Sequence, residues 1–510
     1  MHIVLSAFRF YDGDRKEHII SIRKRGVSMR KFSALLICLM LFSSLLAACG
    51  GGKAAPEVTS KEGGTTNTGG TTTTQNEEPK EDIADKKVTI KIHYPLPDDT
   101  TLRQQEDDKI ARFQAKYPNV TIVKDDWQYS VNEIGVKMAS NEAPTFYNTW
   151  ATEAQLLVER GWVADITEFW NNWEYKDDMN PVLQEQFIVD GKVYGVTQNG
   201  YITSTIVNKK LLDAKGVALP PMDWTWDDMY NTAKGAADPK AGISGIAPMG
   251  KGNEAGWNWT NFLFEAGGDI EVNEDGKVKA VFNSEAGVKA LDFYKKLRWE
   301  GNAIPQDWAL GWGDAVSSFQ QGRTAMVIAG AFDVIQPALN EGGMKPEDVI
   351  AYPMPAMEKG GAHHGILGGN YLVINPNATK DEQEMAFRYI TFDYFTDDAL
   401  KSVEDTINAR KAEGKYFVPT PLEYFSDDSE YAAKVKAIYD KYDNVYKYDP
   451  QLFSLLEGKP EAQFGTQDYY AAMSNVVQES FSKEGTDSKK QLDDTAKLVQ
   501  ENFFDKIEQK

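Results

Sequence analysis

The chain has 510 residues, with 55 Lys and Arg against 76 Asp and Glu, a net charge of −21, and only two cysteines. So acidic a balance argues against a nucleic-acid-binding surface and against flat adhesion to anionic lipid, because both need a basic patch. Two cysteines in this length exclude a disulfide-built scaffold, and 42% hydrophobic residues supply a core without one.

Residues 1–28 mix acids with scattered bases and are too polar and too long for the basic head of a secretory signal. Met29 begins such a signal at once, and residues 24–27 (KRGV) can be encoded by the purine-rich run of a ribosome-binding site. Translation is therefore expected to start at Met29, with 1–28 an extension of the gene model. After Arg30 and Lys31, residues 32–48 (FSALLICLMLFSSLLAA) carry no charge and end in small residues, the layout of a cleaved signal. A membrane-spanning helix needs about 20 apolar residues; this run is shorter, and a glycine triplet follows it instead of a basic stop. Leu46, Ala47, Ala48 and Cys49 resemble the lipobox of bacterial lipoproteins, whose cysteine is acylated and becomes the mature N-terminus. Cys38 lies inside the signal, so everything after Cys49 is free of cysteine. A thiol that carries lipid needs no disulfide partner, and two acyl chains anchor stably where one binds marginally.

Residues 49–87 then read as a tether. From Gly50 onward they contain no aromatic residue and are dominated by Gly, Thr, Glu and Lys, too little apolar surface to offset chain entropy. As a flexible coil the segment reaches on the order of 35 Å. Without residues 1–48 the net charge becomes −26.

From Val88 the composition is globular, and some 420 residues predict two lobes. Residues 86–94 alternate as a strand; Ile110, Phe113 and Tyr117 are spaced as a helix over 107–117, stopped by Pro118. Strands follow at 119–123 and 144–150, with a helix through 155–159. Such alternation predicts an α/β lobe with a mostly parallel sheet. Residues 190–212 read as a tight turn between strands, then an extended run into a helix. Further helices are expected at 226–234, 259–266, 286–300, 315–321, 381–395, 429–442, 469–482 and 492–504, and strands at 323–330 and 369–378. Ser284 suits an N-cap and Gly301 a helix end.

His93, His363 and His364 are the only histidines after Cys49, and the adjacent pair reads as a polar surface loop. EVNEDG at 271–276 starts like a calcium loop, but its twelfth position is Phe282, where a bidentate Glu is needed; a hairpin turn at Asp275 and Gly276 fits better. There is no GxSxG elbow and no phosphate loop. No catalytic residue, metal ligand or cofactor is assigned. A carboxylate pair for glycoside hydrolysis stays open, because a chain this acidic always contains pairs.

Aromatic placement says more. Trp150, Tyr201, Trp257, Trp259, Phe332, Tyr371 and Tyr469 fall near the starts or ends of predicted elements, where open α/β sheets hold ligands. Singly, each ring reads as packing. Together they suggest a cleft floored with flat rings suited to the C–H face of a sugar, with neighbours such as Asn370 and Asp333 for its hydroxyls.

The segments FQAKYPNVTI, LLVERGWVADITEF, DGKVYGV followed by IVNKKLLDAKGV, WTWDDM, FLFEAGGDI, SSFQQGRTAMVIAGAF and YLVINPNATKDEQEMAFRYI resemble, in order and spacing, the family 1 extracellular solute-binding proteins. These are the maltose-binding-like receptors of ABC sugar importers. The resemblance runs from about residue 88 to 510 and implies a type II periplasmic-binding-protein-like fold of two α/β lobes with the ligand between them. By position, 88–204 with 349–398 form lobe one and 205–348 with 399–510 lobe two. Family binding positions fall on Trp150 with Glu153 near it, Tyr201, Trp257, Phe332 followed by Asp333, and Tyr469. Phe332 stands where the family has Trp, and Val207 where it has Tyr. The implied function is a monomeric, lipid-anchored carbohydrate receptor on the outer face of a Gram-positive-type cell membrane. Its expected partners are an oligosaccharide and the membrane subunits of an ABC permease, with no nucleic acid. The alternatives are a surface-anchored polysaccharide hydrolase, or the same fold holding a non-sugar solute.

Overall fold

Val88, Ile90 and Ile92 alternate with polar residues, so Val88–His93 forms a strand (β1) with one buried side. It pairs in parallel with Val120–Asp125 (β2) and Phe146–Trp150 (β3). The helix between the first two, Thr100–Lys116 (α1), starts earlier than its apolar spacing predicts, because Asp99 caps it by accepting from the Leu102 N–H. Only its second half meets the core, through Ile110 and Phe113. These coordinates, a computed structural model, describe residues 83–507 apart from Asp98. The signal, Cys49 and most of the tether lie outside them. The tether's last residues are ordered: Ile83 is buried, and Lys86 forms an ion pair with Asp381 at 2.7 Å. No helix among the described residues is long and apolar enough to cross a membrane.

The sheet is mixed instead of mostly parallel. Gly195–Asn208 (β4) is a 14-residue strand, and its two halves have different neighbours. The first half pairs antiparallel with His364–Ile374 (β7); the second pairs antiparallel with Met326–Gly330 (β5) and Val349–Tyr352 (β6). On its other side β7 pairs antiparallel with β3, and its start runs parallel to Glu457–Pro460 (β8). Thus β4 and β7 carry the chain from one sheet region to the other side by side.

Apolar side chains gather in separate clusters. The largest holds Ile206, Trp224, Trp259, Phe262, Val327, Val349, Tyr352 and Tyr469. A second joins Ile90, Phe113 and Phe146 to Tyr389, Tyr424 and Val435, and a third surrounds Tyr129, Tyr147 and Tyr371.

Helix Gly252–Glu265 (α2) differs most from expectation, beginning well before 259. Gly256, which lies ahead of the expected start, is a packing residue within the helix. A Cβ there would lie 2.3 Å from the Tyr470 carbonyl oxygen on helix Thr466–Ser482 (α5). Trp257 and Trp259 therefore lie inside a helix, not before one. Several short helices went unread, and so did two of ten residues or more: Ala331–Asn340 (α3), which starts directly after β5, and Asp397–Ala412. Helix Lys380–Ile390 (α4) stops short of 395, where Phe395 adopts a left-handed φ of 62°. The hairpin turn at Asp275 and Gly276 is present, with φ of 53° and 76°. His363 is buried, not in a surface loop, with Nδ1 at 2.7 Å from the Met354 carbonyl; His364 faces Glu457 at 3.2 Å.

Candidate functional site

Where β3, β4 and β7 run together, their pairing fixes a row of side chains. Trp150 ends β3 opposite Asn370 on β7, and Asn370 opposes Asn199 on β4. The Asn370 Nδ2 donates to Asn199 Oδ1 at 2.8 Å. Tyr201 lies two residues beyond Asn199, on the same strand face. Its ring needs the glycine opposite: a Cβ on Gly368 would stand 2.3 Å from the Tyr201 hydroxyl.

Helix periodicity supplies the facing wall. Asn253, Glu254 and Trp257 share one face of α2, and Gln467 and Tyr470 one face of the first turns of α5. With Thr152, Gly369 and Glu461 these residues line a small pocket with about 30 Å³ of internal free space. Its rings come from two clusters: Trp150 packs on the third, while Tyr201, Trp257 and Tyr470 belong to or pack on the largest. Tyr201 and Trp257 meet edge to face, centroids 6.2 Å apart at 69°.

Polar groups stitch the walls. Gln467 Nε2 donates to Thr152 Oγ1 at 3.2 Å, and Asn253 Nδ2 donates to Gln467 Oε1 at 3.0 Å. The Tyr470 hydroxyl donates to Glu461 Oε1 at 2.6 Å, and the Trp312 N–H to Glu254 Oε2 at 2.8 Å. Amides, hydroxyls and carboxylates beside flat rings can hold a polyhydroxy ligand.

Glu153 stands one residue behind this wall, 2% exposed, accepting from the Tyr129 hydroxyl at 2.6 Å and the Thr152 hydroxyl at 3.3 Å. Burial pushes its carboxyl up to about 7, against the pull of those hydrogen bonds, and the Asp468 charge adds to the rise. Burial likewise pushes Glu461 up to about 7, helped by the charge of Glu153 and opposed by the Tyr470 hydrogen bond. Asp333 also rises to about 7 through burial. For Glu153 the sign follows from proton counts. Between an unfolded value of about 4.5 and a folded value near 7, the native chain holds the proton and the unfolded chain does not. Its contribution to stability therefore falls as pH rises through that window. Relative to wild type, Glu153→Gln should melt higher at about pH 8 than at about pH 5; a difference that stays flat across this range would contradict the assignment.

Of the positions expected from sequence, Trp150, Tyr201 and Trp257 come together on the cavity wall. Asp333, on the first turn of α3, lies beside Tyr201, its carboxylate over Gly330. Phe332 is half-buried against the largest cluster. Asn370 serves the row through Asn199 and does not line the cavity. Trp259, Tyr371 and Tyr469 are fully buried. Trp259 sits about 200° round α2 from Trp257. Tyr371 stacks on Phe187 at 4.3 Å and donates to the Leu183 carbonyl at 2.6 Å. Tyr469 lies 3.0 Å from the Thr260 hydroxyl, and its neighbour Tyr470 takes the wall position. Thr152, Asn253, Glu254, Glu461 and Gln467 carried no signal in sequence, since only helix register and the fold bring them in.

Comparison with known proteins agrees with this architecture. The family of bacterial extracellular solute-binding proteins matches residues 99–399. A protein of Brucella abortus (strain 2308), bearing a provisional binding-protein name, is 23% identical over 176 residues, covering 34% of this chain and 41% of that relative. An ABC substrate-binding protein from Listeria monocytogenes in complex with cycloalternan superposes with a TM-score of 0.62 at 19% identity, covering 82% of this chain and 99% of its own. An ABC transporter solute-binding protein from Thermotoga lettingae with bound α-D-tagatose gives 0.59 at 20%, covering 81% and 99%. The two-lobe fold is thus shared at low identity, and by its sequence the chain belongs to the bacterial extracellular solute-binding protein family.

Proposed function

We propose that the protein is a lipid-anchored extracellular receptor that holds an oligosaccharide between two lobes and delivers it to an ABC importer. The observation that carries this reading is the ring-walled cavity, whose rings come from two separate apolar clusters that both include residues of β7. Aromatic faces provide large contact area at low entropic cost, and the stitched amides and carboxylates suit hydroxyls. Solved relatives of the same fold hold cycloalternan and tagatose, which supports a carbohydrate here. Closure of the lobes is the working step, and no covalent chemistry is assigned.

We draw the lobes from the clusters. Residues 88–204 and 364–398 stay in the first and 205–348 in the second. Val349, Ala351 and Tyr352 pack in the largest cluster, so 349–363 moves to the second lobe; Tyr424, Phe425, Tyr431 and Val435 pack with β1, so 424–435 moves to the first.

A thermal-shift screen over neutral and charged oligosaccharides tests the receptor reading, because a ligand that binds only the folded chain raises its melting point with concentration. Saturable binding without product is expected. Product formation would favour the surface hydrolase, and no response to any glycan would favour a non-sugar solute. Anchoring is tested apart. Cys49→Ser should move the protein from the membrane fraction to the medium; a variant that stays membrane-bound would mean the apolar run is itself the anchor. Translation from Met29 should give the same mature protein.

A further inference from the structure

The cavity's charge is one-sided. Its only ionisable wall residues besides tyrosines are Glu254 and Glu461, and no Lys or Arg lines it among the described residues. Glu153 stands directly behind Thr152, and Asp333 beside Tyr201. Glu153, Glu461 and Asp333 form no ion pair with any described Lys, Arg or His. The Lys251 ammonium lies 3.1 Å from Asp314 and packs over Gly311 beside the Glu254 carboxylate, so the positive charge near the wall is at the Glu254 end and not at Glu461. Glu461 takes one hydrogen bond, from Tyr470, which leaves Oε2 unengaged by it.

Glu153 is buried and Glu254, Glu461 and Asp333 are partly so, and a carboxylate that loses water is costly in its charged form unless a positive charge meets it. Lobe closure concentrates that cost, since Glu153 comes from the first lobe and Glu461 from the second. A neutral sugar can donate hydroxyl hydrogens to these oxygens, which below about pH 7 keep their protons, but leaves the desolvation cost of their charged forms in place. An ammonium group removes it. The rings point the same way independently, because the faces of Trp and Tyr carry negative charge density that attracts cations. Glu461 and the rings of Tyr201 and Trp257 border one cavity, so one small cation can meet a carboxylate and a ring face together.

We propose that the ligand is an oligosaccharide carrying a protonated amine, with the ammonium seated between Glu461 and the ring faces of Tyr201 and Trp257. This rests on the carbohydrate reading and narrows it to amino sugars with free amines. The strongly acidic mature chain would also draw such a cation toward the cleft.

The test is isothermal titration of the full chain with three probes of equal length: a glucosamine tetramer with free amines, its fully N-acetylated counterpart, and maltotetraose. The free-amine tetramer should bind at least about tenfold tighter than either neutral one. Glu461→Gln should shrink that ratio at least fivefold. Should that variant fold poorly, wild-type protein still decides. Raising NaCl from about 0.05 to 0.5 M should weaken the amine ligand severalfold and the neutral ones hardly at all. If a neutral tetramer binds as tightly or tighter, or salt weakens all three alike, the amine assignment is overturned and the carbohydrate receptor stands. If none of the three and no other glycan binds, both readings fall.

Discussion

Trp257→Leu should weaken binding of the best oligosaccharide at least tenfold while the protein still folds. The indole forms part of the cavity wall and meets Tyr201 edge to face. Truncating a binding hot spot costs about 2 kcal/mol or more, roughly thirtyfold in affinity. The residue is also core: it is 6% exposed and packs within the largest apolar cluster. Trp257→Ala should therefore lose stability as well, by about 3–5 kcal/mol for a buried tryptophan. Its burial inside α2 thus gives the ring a packing role as well as its place on the cavity wall. Leucine keeps most of the apolar contact and removes the flat face, so it separates the two roles. Calorimetric titration of Trp257→Leu gives the answer: affinity within threefold of wild type would make the indole a packing residue only.

Gly256→Ala should destabilise by about 3 kcal/mol, at the top of the usual overpacking range. Its new methyl would stand 2.3 Å from the Tyr470 carbonyl oxygen and 2.8 Å from the Tyr470 Cα, both rigid backbone of α5. The two helices must part, breaking the Gly256 N–H bond to the Ser474 hydroxyl, 3.1 Å long. Because Gln467 and Tyr470 ride on α5, binding should weaken too. Gly313 is the control. It lies in the helix Trp312–Gln320 with nothing within 4 Å of its added Cβ, so Gly313→Ala should stabilise by about 0.5–1 kcal/mol. Urea unfolding of both variants checks the pair. Equal effects would mean that the approach of α2 to α5 costs nothing to disturb.

These two glycines show what a sequence can and cannot tell. Alternation in VTIKIH is a local signal, and β1 follows from it. The spacing of Ile110, Phe113 and Tyr117 likewise marks α1, although its polar first turns depend on the cap at Asp99. Gly256 carries the opposite local signal: a glycine in mid-helix reads as a break, and only the approach of α5 explains it. The order of strands was equally hidden, because antiparallel crossing by β4 and β7 depends on partners far away in the chain. At the candidate site, rings were legible as a class but not by register. Adjacent residues on a helix face about 100° apart, so Tyr470 lines the cavity while Tyr469 fills the core. Trp150 and Tyr201 sit where strands end or cross, and there position in sequence and position in space coincide.

The crossing strands also set a timetable. The core of β1 and α1 closes only when β7 and α4 arrive, as the bonds from Lys86 to Asp381 and from Arg112 to Asp393 show: the partners are 295 and 281 residues apart. At a synthesis rate of about 5–20 residues per second, the first half waits roughly 14–56 s for its missing strand. During that interval β3 has no neighbour on the side that β7 will occupy. Topology alone therefore delays closure of this core until most of the chain has been made.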